Sequence, residues 1–233
     1  MKEYLDILQQ VLDEGERKPN RTGIDTFSLS GAMFRHDMRK GFPLLTTKRM
    51  PPKTIFAELE GFIKGITDKT WYQKRGCNIW NEWCNPTIVP YGNDEATKAR
   101  MAAEPDLGPI YGYQWRNFNG SGVDQLKNAL ETLKHNPTDR RMIISAWNPI
   151  QLSEMALPPC HFCFHLLSDG KFLDLCWSQR SVDTFLGLPF NIASYAMLLT
   201  LIAKEVHMIL LGAGAVLLEG IVLRNVKEGS YFL

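Results

Sequence analysis

The sequence predicts an α+β protein with a layered, mixed β-sheet and helices packed on it. Helix and strand patterns follow in the order helix, strands, helix, strand group and helix. This order favours α+β layers over a strictly alternating βαβ repeat. The chain has 233 residues, about one and a half typical domain lengths, and two domains would leave little core for either. We therefore expect one domain over residues 1–233.

The first half of the chain alternates between apolar stripes and polar stretches. One apolar stripe at helical spacing predicts a helix over residues 4–14: Tyr4, Leu8, Val11 and Leu12. Residues 14–24 are polar and predict a loop, whereas residues 26–38 are typical of strand and turn. A second helix is predicted over residues 53–64, where apolar residues recur at helical spacing after Pro51 and Pro52.

The second half begins with a proline-rich, mixed-charge stretch over residues 85–109, which predicts a surface excursion. An amphipathic helix follows over residues 123–133 and ends before Pro137. Residues 142–147 predict a strand, and residues 162–167 and 171–177 predict a β-hairpin. Residues 189–206 are apolar almost all round and predict a buried helix.

Charge and hydropathy exclude several classes of protein. The formal net charge is +1, whereas nucleic-acid-binding proteins carry a clear basic excess, so nucleic acid is not an expected partner. The longest stretches without charge, residues 192–203 and 208–218, are far shorter than the roughly 20 residues of a bilayer span. Five cysteines, an odd number, predict free thiols in a reducing compartment. We therefore expect a cytoplasmic protein without a membrane segment.

Cys160 follows two prolines, which stiffen the chain and fix the direction of the thiol. The sulfur is either a nucleophile favoured by nearby arginines or a buried, inert thiol. His161 is expected to face the opposite way on a strand, which makes it a poor direct base. The same alternation is expected to separate Cys160 from Cys163, so that C-x-x-C holds neither a disulfide nor a metal.

Four arginines lie at the ends of predicted elements: Arg21, Arg140, Arg141 and Arg180. Guanidinium groups bind phosphate oxygens in a bidentate manner, so these side chains could bind one phosphate. Solvated surface arginines are the alternative.

Glu58 lies on an apolar helical stripe, where burial of a carboxylate raises its pKa. It is either a proton-transfer group or a structural carboxylate with a nearby donor. Glu60 is expected to lie among apolar neighbours in the same way. Gly61 interrupts the helix, which indicates close packing or a ligand.

Two further side chains could recognise a heterocycle. The amide of Asn191 can pair with the O4 and N3–H edge of uracil, or it can cap a helix. Asp183 can accept a hydrogen bond from a ring N–H, or it can stabilise a turn.

Longer motifs over residues 1–207 extend these local observations. They are RTG at 21–23, GFPLLTTK at 41–48, DLGPIYGYQWR at 106–116, DRR at 139–141, MALPPCH at 155–161, QRSVD at 179–183 and FLGLPFNIASY at 185–195. In this order and at this spacing, the sequence resembles the thymidylate synthase family.

The resemblance implies an enzyme that methylates dUMP with methylenetetrahydrofolate as co-substrate and without a metal. Cys160 would attack carbon 6 of the uracil, and carbon 5 would then accept the one-carbon unit of the folate. Transfer of a hydride from the same folate would give dTMP and dihydrofolate.

The resemblance also implies roles for individual residues. Arg21, Arg180 and Ser181 would hold the phosphate of dUMP. Arg140 and Arg141 would reach it from the partner subunit of a homodimer, whose interface would be a face of the β-sheet.

The remaining implied roles concern the base, the folate and catalysis. Asn191 would read the uracil and assist catalysis, with Gln179 supporting its hydrogen bonds. Glu58, His161 and Tyr111 would organise proton transfer and waters. The folate would contact Trp80, Asp183 and Lys48.

Three segments depart from the family pattern, one of them Met50-Pro51-Pro52, where the family often has a basic or His-containing stretch that helps bind folate. Residues 210–233 lack the Gly-Gly-Asp-x-His-x-Tyr segment that would hold the deoxyribose, so we expect a divergent tail. The pattern Glu58-Leu59-Glu60 is similar to that of phage deoxycytidylate hydroxymethylases. A dUMP hydroxymethylase and an inactive nucleotide-binding paralogue are therefore the alternatives to a synthase.

Overall fold

The computed structural model describes residues 2–19, 25–217 and 221–224. The helices of these residues are α1 (Lys2–Glu14), α2 (Pro52–Lys64), α3 (Lys69–Gln73), α4 (Glu95–Ala103), α5 (Gly112–Arg116), α6 (Gln125–His135) and α7 (Leu188–Glu205), with short 3₁₀ turns at Met38–Lys40 and Leu152–Glu154. The strands are β1 (Glu16–Lys18), β2 (Thr26–Leu29), β3 (Ala32–Asp37), β4 (Ile143–Ser145), β5 (His161–Ser168), β6 (Phe172–Gln179), β7 (Val182–Asp183), β8 (Ile209–Leu217) and β9 (Ile221–Arg224).

The main sheet is mixed and has the strand order β3-β8-β6-β5-β4. Only β6 and β8 run parallel, and the other neighbours are antiparallel. Side chains alternate along β6, so that Leu173, Leu175, Trp177 and Gln179 are buried on one face. A second sheet has the order β1-β2-β9-β7. Helices packed on mixed sheets confirm the predicted α+β class.

Strand β8 is an interior strand of the main sheet, between β3 and β6, although residues 210–233 had no predicted element. It pairs along its length with β3 on one side and with β6 on the other. Its alternating glycines and alanines allow close approach, since a Cβ on Gly214 would lie 2.9 Å from the carbonyl oxygen of Phe34. Glycine and alanine carry little strand propensity, and they occupy the middle of the strand, so its propensity signal is weak.

Helix α7 covers the buried face of the main sheet, as its nearly continuous apolar sequence predicted. Ten of its residues are buried, including Tyr195, Leu199 and Ile202. Among the described residues, no helix is long and apolar enough to span a membrane.

The stripe of α1 is rotated from its predicted position. Ile7 is buried between Tyr4 and Val11, whereas Leu12 is 40% exposed. The helix therefore buries one edge of its apolar surface and leaves the other edge to solvent.

Most of the segment 85–109 lies at the surface, as predicted, and the segment is anchored to the core at Met101 and at its end. It contains α4, and Leu107 is completely buried. The ammonium group of buried Lys69 donates to the carbonyl oxygens of Asn81, Trp83 and Met101. The charge-assisted hydrogen bond to Met101 joins the segment to α3. The predicted loop over residues 14–24 likewise contains strand β1.

Helix α2 packs closely against α3 and α5 because a glycine lies at each contact. A Cβ on Gly61 would lie 2.2 Å from Cε1 of the buried Tyr72, and a Cβ on Gly112 would lie 2.2 Å from the carbonyl oxygen of Phe62. Of the two reasons predicted for Gly61, close packing or a ligand, close packing therefore accounts for a glycine inside this helix. The same close packing brings α2 and α5 to one wall of a cavity.

Candidate active site

A cavity of about 350 Å³ lies between α2, the start of β5, the end of β6 and the start of α7. Nine residues predicted from the sequence line it: Glu58, Trp80, Tyr111, Cys160, His161, Gln179, Ser181, Asp183 and Asn191. They come from separate segments of the chain, and the fold brings them together.

Cys160 lies immediately before β5, and its backbone is held on both sides. Its N–H donates to the hydroxyl of Tyr111 at 2.9 Å, and its carbonyl oxygen accepts the N–H of Arg180 at 2.8 Å. Burial raises the pKa of the Cys160 thiol, and the positive charge of Arg180 opposes this shift only in part. Burial therefore favours the protonated thiol at rest, so of the two alternatives from the sequence the resting group is closer to a buried thiol than to a thiolate.

His161 shares the cavity with Cys160, which corrects the expectation that the two face opposite ways. Strand β5 begins at His161, so strand alternation does not extend back to Cys160, and the β5–β6 register shifts between His161 and Cys163. Cys163 then pairs with Ser178, which alternates with the buried Gln179. This placement agrees with the prediction that the two thiols do not share a face.

The imidazole of His161 is neutral over the physiological range. Burial lowers its pKa to about 3. Its Nδ1 lies 2.8 Å from the hydroxyl of Tyr195, and its ring stacks on that of Tyr111 with centroids 4.3 Å apart. Tyr111 itself has φ 20° and ψ −87°, a rarely populated conformation. Hence His161 can take part in hydrogen bonding, but it does not supply positive charge.

Glu58 projects from α2 into the cavity and accepts a hydrogen bond from the indole N–H of Trp80 at 3.0 Å. Burial raises the pKa of Glu58 to about 7, and the Trp80 hydrogen bond limits the shift. The burial of Glu58 agrees with the predicted desolvated carboxyl, and such a carboxyl can hold or release a proton near neutral pH.

Glu60 differs from Glu58, contrary to the expectation that both lie among apolar neighbours. Its carboxylate is exposed and pairs with Lys64 and Arg75. The hydrogen bond from Lys64 lowers its pKa.

Asn191 lies in the first turn of α7, whose N-cap is Gly187, so it is not the helix cap. Its Oδ1 accepts a hydrogen bond from Nε2 of Gln179 at 2.9 Å. Gln179 is buried at the end of β6, and its Oε1 accepts from the indole N–H of Trp177 at 3.1 Å. An amide is thus held at the cavity wall in a defined orientation.

Asp183 and Ser181 line the cavity beside β7. The Oδ1 of Asp183 accepts the backbone N–H groups of Phe185 and Leu186 at 3.0 and 2.8 Å. Lys48 lies outside the lining, with its Nζ on the carbonyl oxygen of Phe185 at 2.8 Å and over the Phe185 ring. Burial lowers the pKa of Lys48.

The described arginines of the predicted set, Arg140, Arg141 and Arg180, are not brought together on the cavity within one chain. The guanidinium of Arg180 donates to the carbonyl oxygens of Pro158 and Pro159 and lies over the ring of Trp147. Arg140 and Arg141 are exposed before β4 and do not line the cavity, and Arg141 pairs with Asp139. Arg21 lies outside the described residues. Over those residues, no group of three or more His, Cys, Asp or Glu could hold a metal ion.

Sequence reasoning assigned no role to Trp177 or Tyr195, although both orient groups in the cavity. Tyr195 follows Asn191 by four residues on one helix, and Trp177 precedes Gln179 by two residues on one strand. Each is therefore a same-face neighbour of a predicted site residue, and that spacing was a usable signal.

The fold and the cavity define a class of enzyme in which a cysteine, a carboxyl of raised pKa and an oriented amide meet in one cavity. Comparison with known proteins then gives the family. The family model described as thymidylate synthase matches residues 2–213, and the chain belongs to this family.

Two curated relatives are both named thymidylate synthase. The protein of Mycoplasma genitalium is 46% identical over 217 residues, covering 88% of this chain and 75% of the relative. That of Mycoplasma mobile is 44% identical over 216 residues, covering 88% of this chain and 74% of the relative.

Proposed function

We propose that this chain methylates dUMP, with methylenetetrahydrofolate as co-substrate, in the cytoplasm. The observation that carries the proposal is the convergence of Cys160, Glu58 and Asn191 on one cavity, in a chain of the thymidylate synthase family. The two relatives named for this activity support the synthase over a hydroxymethylase or an inactive paralogue.

Cys160 is the nucleophile of the proposed reaction. Its Sγ bonds to carbon 6 of the uracil, and the electron pair of the C5–C6 bond moves towards carbon 5 and O4. The thiol loses its proton in this step, and the charge of Arg180 favours the thiolate. Departure of the same sulfur releases the product.

Asn191 and Glu58 act on the base. Asn191 donates from Nδ2 to O4, where negative charge develops, and accepts from N3–H. Glu58 exchanges a proton with the substrate as the adduct forms and breaks down, because its pKa of about 7 suits both directions of transfer. The hydroxyl of Tyr111 holds the backbone N–H of Cys160. The neutral His161 forms a hydrogen bond with the hydroxyl of Tyr195 beside the cavity.

The cavity also has features that fit a folate. Methylenetetrahydrofolate supplies the methylene carbon and the hydride that reduces it. Trp80, Ile79 and Leu186 provide an apolar wall for a flat, fused ring. The Asp183 carboxylate can accept from a ring N–H, and Lys48 lies beside this wall.

The phosphate is assigned to arginines of two subunits. Arg180, Ser181 and Arg21 hold it from one chain, and Arg140 and Arg141 reach it from the partner of a homodimer. The outer face of the main sheet is the proposed interface. Exposed apolar side chains on that face support the assignment: Met33, Ile143 and Leu167.

The activity is tested by incubating the purified protein with dUMP and methylenetetrahydrofolate. We expect dTMP by mass spectrometry and a rise in dihydrofolate absorbance, with Cys160→Ala as the inactive control. Formation of 5-hydroxymethyl-dUMP without dihydrofolate would contradict the proposal. Binding of dUMP without any turnover would support an inactive paralogue instead.

The shared site is tested by mixing two inactive variants, Cys160→Ala and Arg141→Ala. A mixed dimer has one site with both defects and one with neither, so refolding an equal mixture should restore about a quarter of native activity. No recovery, with dimers present by analytical ultracentrifugation, would show that Arg141 does not act across the interface.

A further inference from the structure

A chain of hydrogen bonds runs from the core of the sheet to the cavity wall. The indole Nε1 of Trp177 donates to Oε1 of Gln179 at 3.1 Å, and Nε2 of Gln179 donates to Oδ1 of Asn191 at 2.9 Å. Asn191 lines the cavity. Each hydrogen bond therefore has a direction, and the direction is set at the Trp177 end.

The direction follows from the chemistry of indole, which is a donor and has no acceptor in its ring plane. Gln179 must present its oxygen to Trp177, which turns its NH₂ group towards Asn191. Asn191 must in turn present its oxygen to Gln179, which leaves its NH₂ group for a ligand in the cavity.

The ring of Trp177 is held on two sides and cannot turn to relax this order. It is completely buried, stacks on Tyr195 with centroids 4.8 Å apart and contacts Phe34 edge-on at 5.6 Å. An amide can exchange the positions of its oxygen and nitrogen by rotation. The indole cannot exchange its N–H for an acceptor.

Uracil and cytosine require opposite orientations of the Asn191 amide. Uracil presents an acceptor at O4 and a donor at N3–H, whereas cytosine presents a donor at the 4-amino group and an acceptor at N3. Binding cytosine would turn the NH₂ group of Asn191 against that of Gln179. If Gln179 also turned, its NH₂ group would face the indole N–H of Trp177, so donor would meet donor in either case.

We infer that Trp177 is a positioning residue that sets the preference for uracil over cytosine by fixing the orientation of the Gln179 and Asn191 amides. This inference rests on the proposed function, because it assumes that Asn191 reads a pyrimidine. Asn191 touches the base, and Trp177 acts on it through Gln179.

The first test replaces Trp177 by Phe, which keeps an aromatic ring and removes the N–H. The dissociation constants for dUMP and dCMP are measured by calorimetry. The ratio of the dCMP constant to the dUMP constant should be about tenfold smaller in the variant than in the native protein, which corresponds to one hydrogen bond. Trp115→Phe is the matched control, since Trp115 is equally buried and its Nε1 has no partner among the described residues. The control should leave the ratio of the two constants unchanged.

A second variant covers the case in which Trp177→Phe fails to fold. Gln179→Met interrupts the same chain of hydrogen bonds and should lower the preference to the same extent. The double variant should be no less selective than either single variant, because both substitutions interrupt the same chain of hydrogen bonds. Losses that multiply in the double variant would indicate separate structural effects and would overturn the inference.

The two proposals fail in different ways. If the native protein binds neither nucleotide, or does not prefer dUMP, the proposed function is wrong. If the native protein prefers dUMP and the folded Trp177→Phe and Gln179→Met variants keep that preference, only the role of Trp177 is wrong.

Discussion

Replacing Glu58 by Gln should remove a pH dependence that the buried carboxyl imposes on stability. Glu58 is 8% exposed, and burial raises its pKa from 4.5 to about 7 despite the hydrogen bond from Trp80. The folded protein therefore keeps this proton at pH values where the unfolded chain has released it. A glutamine is neutral at every pH and can still accept the indole N–H of Trp80.

The sign and size of the effect follow from proton linkage. Between about pH 4.5 and 7 the folded state binds one more proton than the unfolded state, so the free energy of unfolding falls as the pH rises. The loss is absent below pH 4.5 and complete above pH 7. About 2.5 pH units at about 1.4 kcal/mol each give a loss of about 3 kcal/mol.

His161 has an opposite pH dependence and has to be separated from Glu58. Its pKa is lowered from 6.5 to about 3, so it contributes stability that is present above pH 6.5 and is lost as the pH falls towards 3. The two slopes partly cancel between pH 4.5 and 6.5. For this reason the prediction concerns the difference between the native protein and Glu58→Gln, in which the His161 contribution is the same.

Urea unfolding at fixed protein concentration between pH 4 and 8 measures that difference. We expect the stability of Glu58→Gln relative to the native protein to increase by about 3 kcal/mol from pH 4 to pH 8. Turnover should fall at least about a hundredfold in the same variant. Glu60→Gln is the control, since its exposed carboxylate has no raised pKa. A relative stability of Glu58→Gln that is the same at both pH values would refute the reasoning.

Three further substitutions test other parts of the site and fold. Cys160→Ala should abolish turnover and leave the affinity for dUMP within about threefold, because the sulfur forms its bond only during the reaction; turnover in this variant would exclude Cys160 as nucleophile. Asn191→Asp should shift binding from dUMP towards dCMP, since a carboxylate accepts from the cytosine amino group; an unchanged preference by calorimetry would count against Asn191 as the base reader. Gly61→Ala should lower the free energy of unfolding by about 1–3 kcal/mol, because its Cβ would meet the buried ring of Tyr72 at 2.2 Å. Gly187→Ala, with its nearest neighbouring atom at 3.4 Å, should cause a much smaller loss, and equal losses in urea unfolding would contradict the packing explanation.

Elements with strong periodicity were predictable from the sequence alone. The β5–β6 hairpin lies within one or two residues of its predicted bounds, because its apolar side chains alternate along both strands. Helix α7 lies within one residue of its predicted bounds, because its apolar sequence is nearly continuous. The residues around Cys160, Gln179 and Asn191 were predictable for another reason, since they lie in long motifs whose order is specific.

Other features depended on contacts that spacing cannot reveal. The middle of strand β8 is Gly-Ala-Gly-Ala, and its pairing with β3 and β6 defines the strand. Cys160 and His161 line the same cavity because β5 begins only at His161. The wrong prediction for Glu60 has a simpler cause. Residues two apart on a helix lie on nearly opposite faces, and Glu58 already occupies the buried face.

The position of β8 has a consequence for synthesis on the ribosome. Strand β3 leaves the exit tunnel early and β6 much later, but neither can pair with β8 until residues 209–217 emerge. Until then the nascent chain presents two open edges, which invite pairing with other polypeptides. Closing the gap joins strands that are far apart in the chain, a slow kind of assembly. Chaperone protection during this interval should therefore affect the yield of folded protein more than any later step.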